Sequence, residues 1–507
     1  MCTRDAAAEQ LTNWQKDNAD TIGYAKNSAG IGIVNADTSL TIGVRGVIPL
    51  RDYQMMEHLQ HFNRERIPER VVHAKGAGAF GEFTCTASLE DYTVSKVFVE
   101  GTKTPIAVRF SLVNGSLGSA DTVRDIRGFA LKFYTEDGIW DLVGNNTPIF
   151  FVKDPMLFPM LIHSQKSNPV TNLRDWDAYW DFLTLNPMTV YQTLRLYADK
   201  GIPNGYRYQD GYGCHTFSLI DKNRQLTWCK FTYETNQGTE NLDTDEAVKL
   251  AGTDPDYATR DLYNSIANGD YPSWTFYVQL MTTDQAKALD FDPFDITKIW
   301  PEDDFPKQKV GEFVLNRNPE NYFAEIEQLA FSPSNLIPGI GDSPDRLLQG
   351  RLFAYQDAHR YRLGVNNRQL AVNAPTNGTA NFQRDGAMCI YNQGGAPNYY
   401  PNSFGGPNPD PDAAQWTNPP QEFSGKEDYY PEYYQDDNYS QPKSYWENDL
   451  DDDEKTRVVN NLACSLECTK EDIQKRAVEV FTNVSEDLGD RLAKALNLDS
   501  VKGQLKA

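Results

Sequence analysis

The sequence predicts an α+β protein with a β-rich centre and a helical C-terminal end. Three observations predict it. Apolar segments of period two concentrate between residues 69 and 315, and helical stripes of period 3.6 follow residue 449. A hydrophobic content of 40% over 507 residues is enough to bury a sizeable core. The pattern divides the chain into an N-terminal arm (1–68), a β-rich core (69–315), a wrapping segment (316–435) and a helical region (436–507).

Residues 1–68 are polar and irregular, with one helical stretch near Asp52–Phe62. The strands expected next are Thr104–Val113, Gly128–Thr135, Pro148–Val152, His215–Ile220, Leu226–Tyr233, Ser273–Met281 and Val310–Leu315. Together they predict an antiparallel barrel or sandwich. The run Arg70–Lys75 also reads as strand-like. One helix is signalled inside this region, opened by Asn186-Pro187 and closed by Gly201. Pro, Gly and Asn crowd Val372–Gly425, which reads as a long wrapping or interface loop. Asp451-Asp452-Asp453-Glu454 then places negative charge where a helix begins. Val458, Val459, Leu462, Ala463 and Leu466 make one apolar stripe, and Ile473, Ala477 and Phe481 another.

Composition excludes several function classes. The net charge of −23 argues against nucleic acid and anionic membrane, both polyanions. No run of about twenty apolar residues occurs, so no membrane-spanning helix is expected. The first twenty residues lack the apolar stretch of a secretion signal. Seven sparse cysteines with no C-x-x-C predict an intracellular chain with reduced thiols. The final Leu505-Lys506-Ala507 is not an S-K-L peroxisomal address.

Gly76-Ala-Gly78-Ala-Phe-Gly81 spells G-x-G-x-x-G, but the dinucleotide motif needs a strand before it and a helix after it. Here strand-like EFTCT follows, so the glycines are read as allowing close backbone packing beside His73. The six histidines form no H-x-x-x-H or H-E-x-x-H pair, which argues against a mononuclear zinc site. His73 alone lies in an apolar run bordered by charge; it is read as a core histidine or a general acid–base. The segment Asp345–Arg362 reads as a helix. At about 100° per residue, Arg351, Tyr355, His359 and Arg362 project at about 0°, 40°, 80° and 20°. Three cationic or potentially cationic groups then share a face with one phenol. Neighbouring positive charge favours an anionic phenol, a hard ligand suited to ferric iron. Arg362 is placed to pair with a carboxylate of a bound ligand.

The segments RERIPERVVHAKGAGAFG (64–81) and RLFAYQDAHRYRL (351–363) resemble the distal and proximal signatures of monofunctional haem catalases. SADTVRD (119–125), WDLVGNNTP (140–148), residues 254–277, 316–335 and GAPNYYPNSFGGP (395–407) are similar to that family too. The resemblance runs from about residue 25 to 497 and is strongest to the small-subunit insect and vertebrate type. It implies an eight-stranded antiparallel β-barrel with an N-terminal arm, a wrapping segment and a C-terminal helical domain, assembled as a homotetramer with interlocked arms. It further implies haem b, with Tyr355 as axial iron ligand and Arg351 beside the phenolate. His73 and Asn145 match the distal pair, and Ser111 the residue that orients the histidine. Arg70, Arg109 and Arg362 match the propionate arginines, and Phe158 the ring against the haem face. Val72, Asp125, Phe150 and Phe151 match a narrow substrate channel. The implied reaction converts hydrogen peroxide to water and dioxygen through a ferryl intermediate, in a peroxisome by likeness or in the cytoplasm.

The chain departs from the family at the positions that usually hold NADPH. They read Tyr191, Ala198, Lys200, Asp210, Glu234 and Glu302, with Asp303 beside the last. A carboxylate near a phosphate costs roughly 1–4 kcal/mol per close pair, so NADPH is expected to be absent or weakly held. Gln356 stands where the family usually has Pro, Ala358 for Thr, Tyr361 for His and Val365 for Pro; Asn63 and Ile126 depart elsewhere. Two other readings compete. One is a catalase-fold haem protein acting on organic hydroperoxides, although that group carries Thr where this chain has Val72. The other is a non-enzymatic structural or binding tetramer.

Overall fold

The computed structural model describes residues 4–21, 23–422 and 424–498; the terminal Leu505-Lys506-Ala507 lies outside them. The chain forms two units, Met1–Glu69 and Arg70–Ala507.

The first unit carries two helices, Ala6–Asp17 and Tyr53–Phe62. Only the second was legible from periodicity. The first is opened by Asp5, whose carboxylate accepts from the Ala8 amide. Neither helix has a buried residue, and Val34, Val44 and Leu50 are almost fully exposed.

The second unit is built on a closed antiparallel barrel. Its strands are β1 (Gly76–Cys85), β2 (Lys103–Leu112), β3 (Arg127–Thr135), β4 (Gly138–Asn145), β5 (Gly211–Tyr212), β6 (Phe217–Ile220), β7 (Leu226–Thr235), β8 (Ser273–Thr282), β9 (Gln308–Arg317) and β10 (Ile340–Gly341). Pairing runs β1–β2–β3–β4–β5–β7–β8–β9 and back to β1, which closes eight strands. β6 continues β5 along β7, and β10 adds a short edge to β6. Closure removes the unpaired edges of an open sheet.

Alternation fixes what each face does. On β3, Phe129, Leu131 and Phe133 point into a core shared with Phe83, Phe98, Phe110, Trp140, Phe231 and Phe276. Its rings meet edge-on or stacked, as in Phe129–Tyr233 at 4.6 Å and Phe133–Trp140 at 4.4 Å. Each such pair contributes about 0.5–1.5 kcal/mol beyond its buried area. The outer face of β1–β4 instead reads in rows of mostly small or polar residues. One row is Gly76, Ser111, Gly128, Asn145; the next is Gly78, Arg109, Ala130, Val143; the third ends on Lys132 and Asp141.

Two sequence expectations need correction. Pro148–Val152 is a buried loop, not a strand; the strand is β4, just before it. Its apolar run is explained by burial of Ile149, Phe150, Phe151 and Val152 against the helical layer. Arg70–Lys75 is not a strand either, because His73 has φ +65°, which breaks any ladder there.

The helical layer joins Trp176–Leu185 and Val190–Tyr197 to the C-terminal helices Asp452–Leu466, Glu471–Val484 and Glu486–Ala495 in one core. Asp451 and Glu454 form a reciprocal capping box, so the acidic run is a helix start. Both expected apolar stripes are buried. Among the described residues no helix is long and apolar enough to cross a membrane.

Candidate active site

The site lies on the outer face of β1–β4. Gly128 permits its first feature. A Cβ at Gly128 would lie 2.5 Å from His73 Nδ1 and 2.4 Å from Ser111 Oγ. Without it, His73 packs over the strand and its Nδ1 meets Ser111 Oγ at 2.9 Å. The left-handed backbone of His73 is held on both sides. Its N–H donates to Val113 O at 3.2 Å, and its carbonyl accepts from Arg109 Nη1 at 2.8 Å. A strained, over-determined conformation of this kind marks a functional position. Nδ1 is occupied by Ser111, which leaves Nε2 for a substrate. Burial, then Arg109, Arg351 and Arg70, push the imidazole down to about 3. It is therefore uncharged near neutrality, with a ring nitrogen lone pair free to accept a hydrogen bond. Asn145 ends β4 directly opposite Gly128 in the register.

The second feature is a cluster of three guanidinium groups. Arg70 Nη2 donates to Ile326, Glu327 and Leu329 carbonyls at 3.1, 3.0 and 2.8 Å. Arg362 Nη1 donates to Glu327 O at 2.8 Å. Glu327 is the carboxylate between them, 3.7 Å from Arg70 and 3.6 Å from Arg362. Arg109 is buried nearby with its Nη1 and Nη2 on the His73 and Ala74 carbonyls. Arg70 Nη1, Arg109 Nε and Arg362 Nη2 are buried without a hydrogen-bond partner. Burial holds all three guanidinium groups below their usual range, with Arg362 at about 10, and their mutual repulsion lowers Arg70 and Arg362 further. One carboxylate cannot compensate three buried cations, and uncompensated buried charge costs several kcal/mol per ion. The cluster therefore fits a ligand that brings two carboxylates, as haem does in its propionates. Beside it a Cβ at Gly78 would lie 2.7 Å from Ile326 Cδ1 and from Val108 O, so the glycine lets Ile326, which clusters with Ala130, pack against the strand.

The third feature is the helix Arg346–Leu363, capped by Asp345. Arg351 and Tyr355 are one turn apart, and Arg351 Nη2 donates to Tyr355 Oη at 2.7 Å and Val143 O at 3.0 Å. Arg351 Nη1 meets His215 Nε2 at 2.7 Å, and His215 Nδ1 meets Asp345 Oδ2 at 2.6 Å. A guanidinium has no acceptor, so Nε2 must accept and Nδ1 must carry the proton donated to Asp345. Burial pushes the His215 pKa down, consistent with this neutral ring. Asp345, His215 and Arg351 thus form one chain that ends on the phenol oxygen.

Of the residues that the resemblance singles out, the structure joins His73 to Ser111 and Arg109, Arg70 to Arg362 through Glu327, and Arg351 to Tyr355, and sets Asn145 opposite Gly128. Val72 and Phe158 pack against the helical-layer core, with Phe158 stacked on Phe150 at 6.0 Å. Asp125 is buried under two hydrogen bonds from Asn114, and burial raises its pKa. His359 is a correction. It was grouped with the cations, but its Nε2 donates to Phe331 O at 2.6 Å and burial lowers it to about 4, so it is neutral. His215, Asp345, Glu327 and Gly128 were missed. For Asp345 the signal was its place as the helix N-cap; the others become visible only through register and distant pairing.

The positions that departed from the usual NADPH set are occupied internally. Tyr191 and Ala198 are buried, and Arg195 lies against the rings of Tyr191 and Tyr445 at 4.8 and 4.6 Å. Lys200 pairs with Asp210 at 3.6 Å, and Lys307 with Glu234 at 2.5 Å and Glu302 at 3.0 Å.

A family model described as catalase matches residues 26–406, and one described as catalase-related immune-responsive matches residues 433–496. A catalase of Cavia porcellus is 50% identical over 99% of this chain and 95% of its own length. A catalase of Drosophila melanogaster is 50% identical over 98% of this chain and 99% of its own. Among solved structures, a fungal catalase superposes with TM-score 0.89 at 40% identity, covering 94% of this chain and 97% of that one. Catalase A from Saccharomyces cerevisiae gives 0.88 at 41% identity, covering 93% and 99%.

Proposed function

The chain belongs to the catalase family and decomposes hydrogen peroxide to water and dioxygen; we propose that it does so on haem b, with His73 and Tyr355 as the residues that would serve it. The observation that carries this assignment is the trio of buried arginines whose unpartnered N–H groups require two carboxylates from a ligand. Neither action on organic hydroperoxides nor a non-enzymatic role is favoured by relatives of this identity and coverage.

Arg70, Arg109 and Arg362 would take the propionates, and Tyr355 would supply an oxygen ligand to the iron. Haem, when bound, would supply the two-electron redox chemistry by which one peroxide is reduced to water and a second is oxidised to dioxygen. The protein's own groups handle position and protons. His73, already neutral, takes a proton from one peroxide oxygen at Nε2 and returns it to the other. Ser111 fixes the imidazole ring through Nδ1 so that the transfer geometry is constant. The Asn145 amide donates to the peroxide and holds it against the histidine. Arg351 donates to Tyr355 Oη, and the Asp345–His215 pair keeps that guanidinium in place. Val72, Phe150, Phe151 and Phe158 exclude bulkier molecules. Two peroxides yield two waters and one dioxygen, so protons and electrons balance without an outside reductant. Loading the apoprotein with haem tests the assignment. Retention of one haem per chain, lost together with activity in Arg362→Ala and Tyr355→Phe, is expected; full retention in both variants would reject it.

NADPH is absent or weak in this reading, because Lys307 and Lys200 are already paired with carboxylates and Tyr191 is buried with its hydroxyl on Arg195. Stoichiometric NADPH on the purified protein would reject that. A homotetramer is proposed for the assembly, supported by the exposed apolar side chains of Met1–Glu69, which need a cover that a second copy can provide. Sedimentation at about four chain masses is expected. The peroxisome is the proposed compartment by family likeness, with the cytoplasm as alternative, and imaging of the tagged chain separates them.

A further inference from the structure

Beside Tyr355, one neighbour departs from the residue usual in the family. Gln356 stands where the family usually has Pro. Proline in a helix interior removes one hydrogen bond and bends the axis. Here the helix runs unbroken from Arg346 to Leu363, and the side chain gains contacts that proline lacks. Gln356 Nε2 donates to Ser334 Oγ at 2.9 Å and approaches Asn335 Oδ1 at 3.4 Å. Ser334 Oγ meets Ser332 Oγ at 2.9 Å. Asn335 Nδ2 and the Ser332 amide both donate to Asp141 Oδ2, at 2.7 and 2.9 Å. Asp141 is fully buried on β4 and paired with Lys132 of β3 at 2.8 Å. The contacts therefore run from the residue beside the phenol to the barrel wall.

We propose that Gln356 is a positioning residue, tying the turn that carries Tyr355 to the Lys132–Asp141 pair through Ser334 and Asn335. Arg351 grips the phenol oxygen from one side of the helix, and Gln356 fixes the backbone that bears the ring from another. A single tether at the oxygen would leave the ring free to swing about its Cα; two tethers set both its distance and its tilt. This rests on Tyr355 being the axial ligand of haem.

The test uses the haem-loaded protein, with electron paramagnetic resonance of the ferric state and the iron–phenolate stretch by resonance Raman. Gln356→Met keeps volume and helix but removes the donor; Ser334→Ala removes the acceptor and leaves the helix untouched. Both variants are expected to shift the rhombic splitting and the stretch in the same direction, and the double variant to match either single one. Turnover kcat should fall about fivefold, the scale of one hydrogen bond, with KM for peroxide unchanged. Unaltered spectra in variants that retain haem would overturn the proposal, and so would shifts that add in the double variant. If Gln356→Met loses haem, Ser334→Ala carries the test alone. A parent protein without any phenolate signature would instead overturn the ligand assignment, and the positioning role with it.

Discussion

Adding a single methyl group at Gly128 should disable the distal histidine while leaving the fold intact. Gly128 does not have a left-handed backbone, so alanine is acceptable to the chain itself, and the strain comes only from contacts. The new Cβ would lie 2.4 Å from Ser111 Oγ, 2.5 Å from His73 Nδ1 and 2.8 Å from His73 Cε1. Ordinary contact begins near 3.5 Å, so something must retreat by about 1 Å. The strand cannot, because Gly128 is paired with Ser111 on one side and Asn145 on the other. The His73 backbone is held by Val113 and Arg109. The imidazole must therefore rotate and release Ser111. Overpacking of this size costs about 1–3 kcal/mol of stability. A displacement of about 1 Å at a proton-transfer group costs roughly 10²-fold in rate. Dioxygen release would be followed beside the Soret band, with Ser111→Ala as a control that removes the hydrogen bond without crowding. The expected result is a normal Soret band with kcat down about a hundredfold, and a smaller loss in the control. A Gly128→Ala enzyme within twofold of the parent would refute the claim that the missing Cβ sets the His73 position.

Replacing Asp345 by Asn keeps a good helix cap but removes the charged partner of His215 Nδ1, so stability should drop by about 1.5–3 kcal/mol in denaturant titration; an unchanged midpoint would show that the pair contributes nothing. His73 has a folded pKa of about 3 against an ordinary value of 6.5. Its contribution to stability is present above pH 6.5 and lost as pH falls towards 3, because the unfolded chain binds the proton first. kcat/KM should accordingly stay flat from neutrality down to about pH 4, and an acid limb near 6.5 that disappears in His73→Gln would contradict the depressed value. Asp451→Ala removes the capping box of Asp452–Leu466, with an expected loss of about 1 kcal/mol and no change in turnover.

Most of the barrel was legible because its strands alternate strictly, as Phe129, Leu131 and Phe133 do against Gly128, Ala130 and Lys132. Pro148–Val152 misled because a short apolar run has the same composition whether it is a strand or a buried loop. The Ala6–Asp17 helix escaped notice because its only large apolar side chains are Leu11 and Trp14, too few to mark a stripe. At the site, Arg351 and Tyr355 could be read from helical spacing, since their contact is local. His215 could not, because its partners are 130 and 136 residues away in sequence. Charge on the Arg351 face was over-read at His359, because no periodicity reveals that a carbonyl from Phe331 will meet the ring.

The most direct measurement is the ratio of dioxygen released to hydrogen peroxide consumed by the purified, haem-loaded protein with no added reductant. One dioxygen per two peroxides is predicted, since one peroxide is the electron donor for the other and no outside reductant is needed. Peroxide consumption that requires an organic reductant and yields no dioxygen would contradict the account.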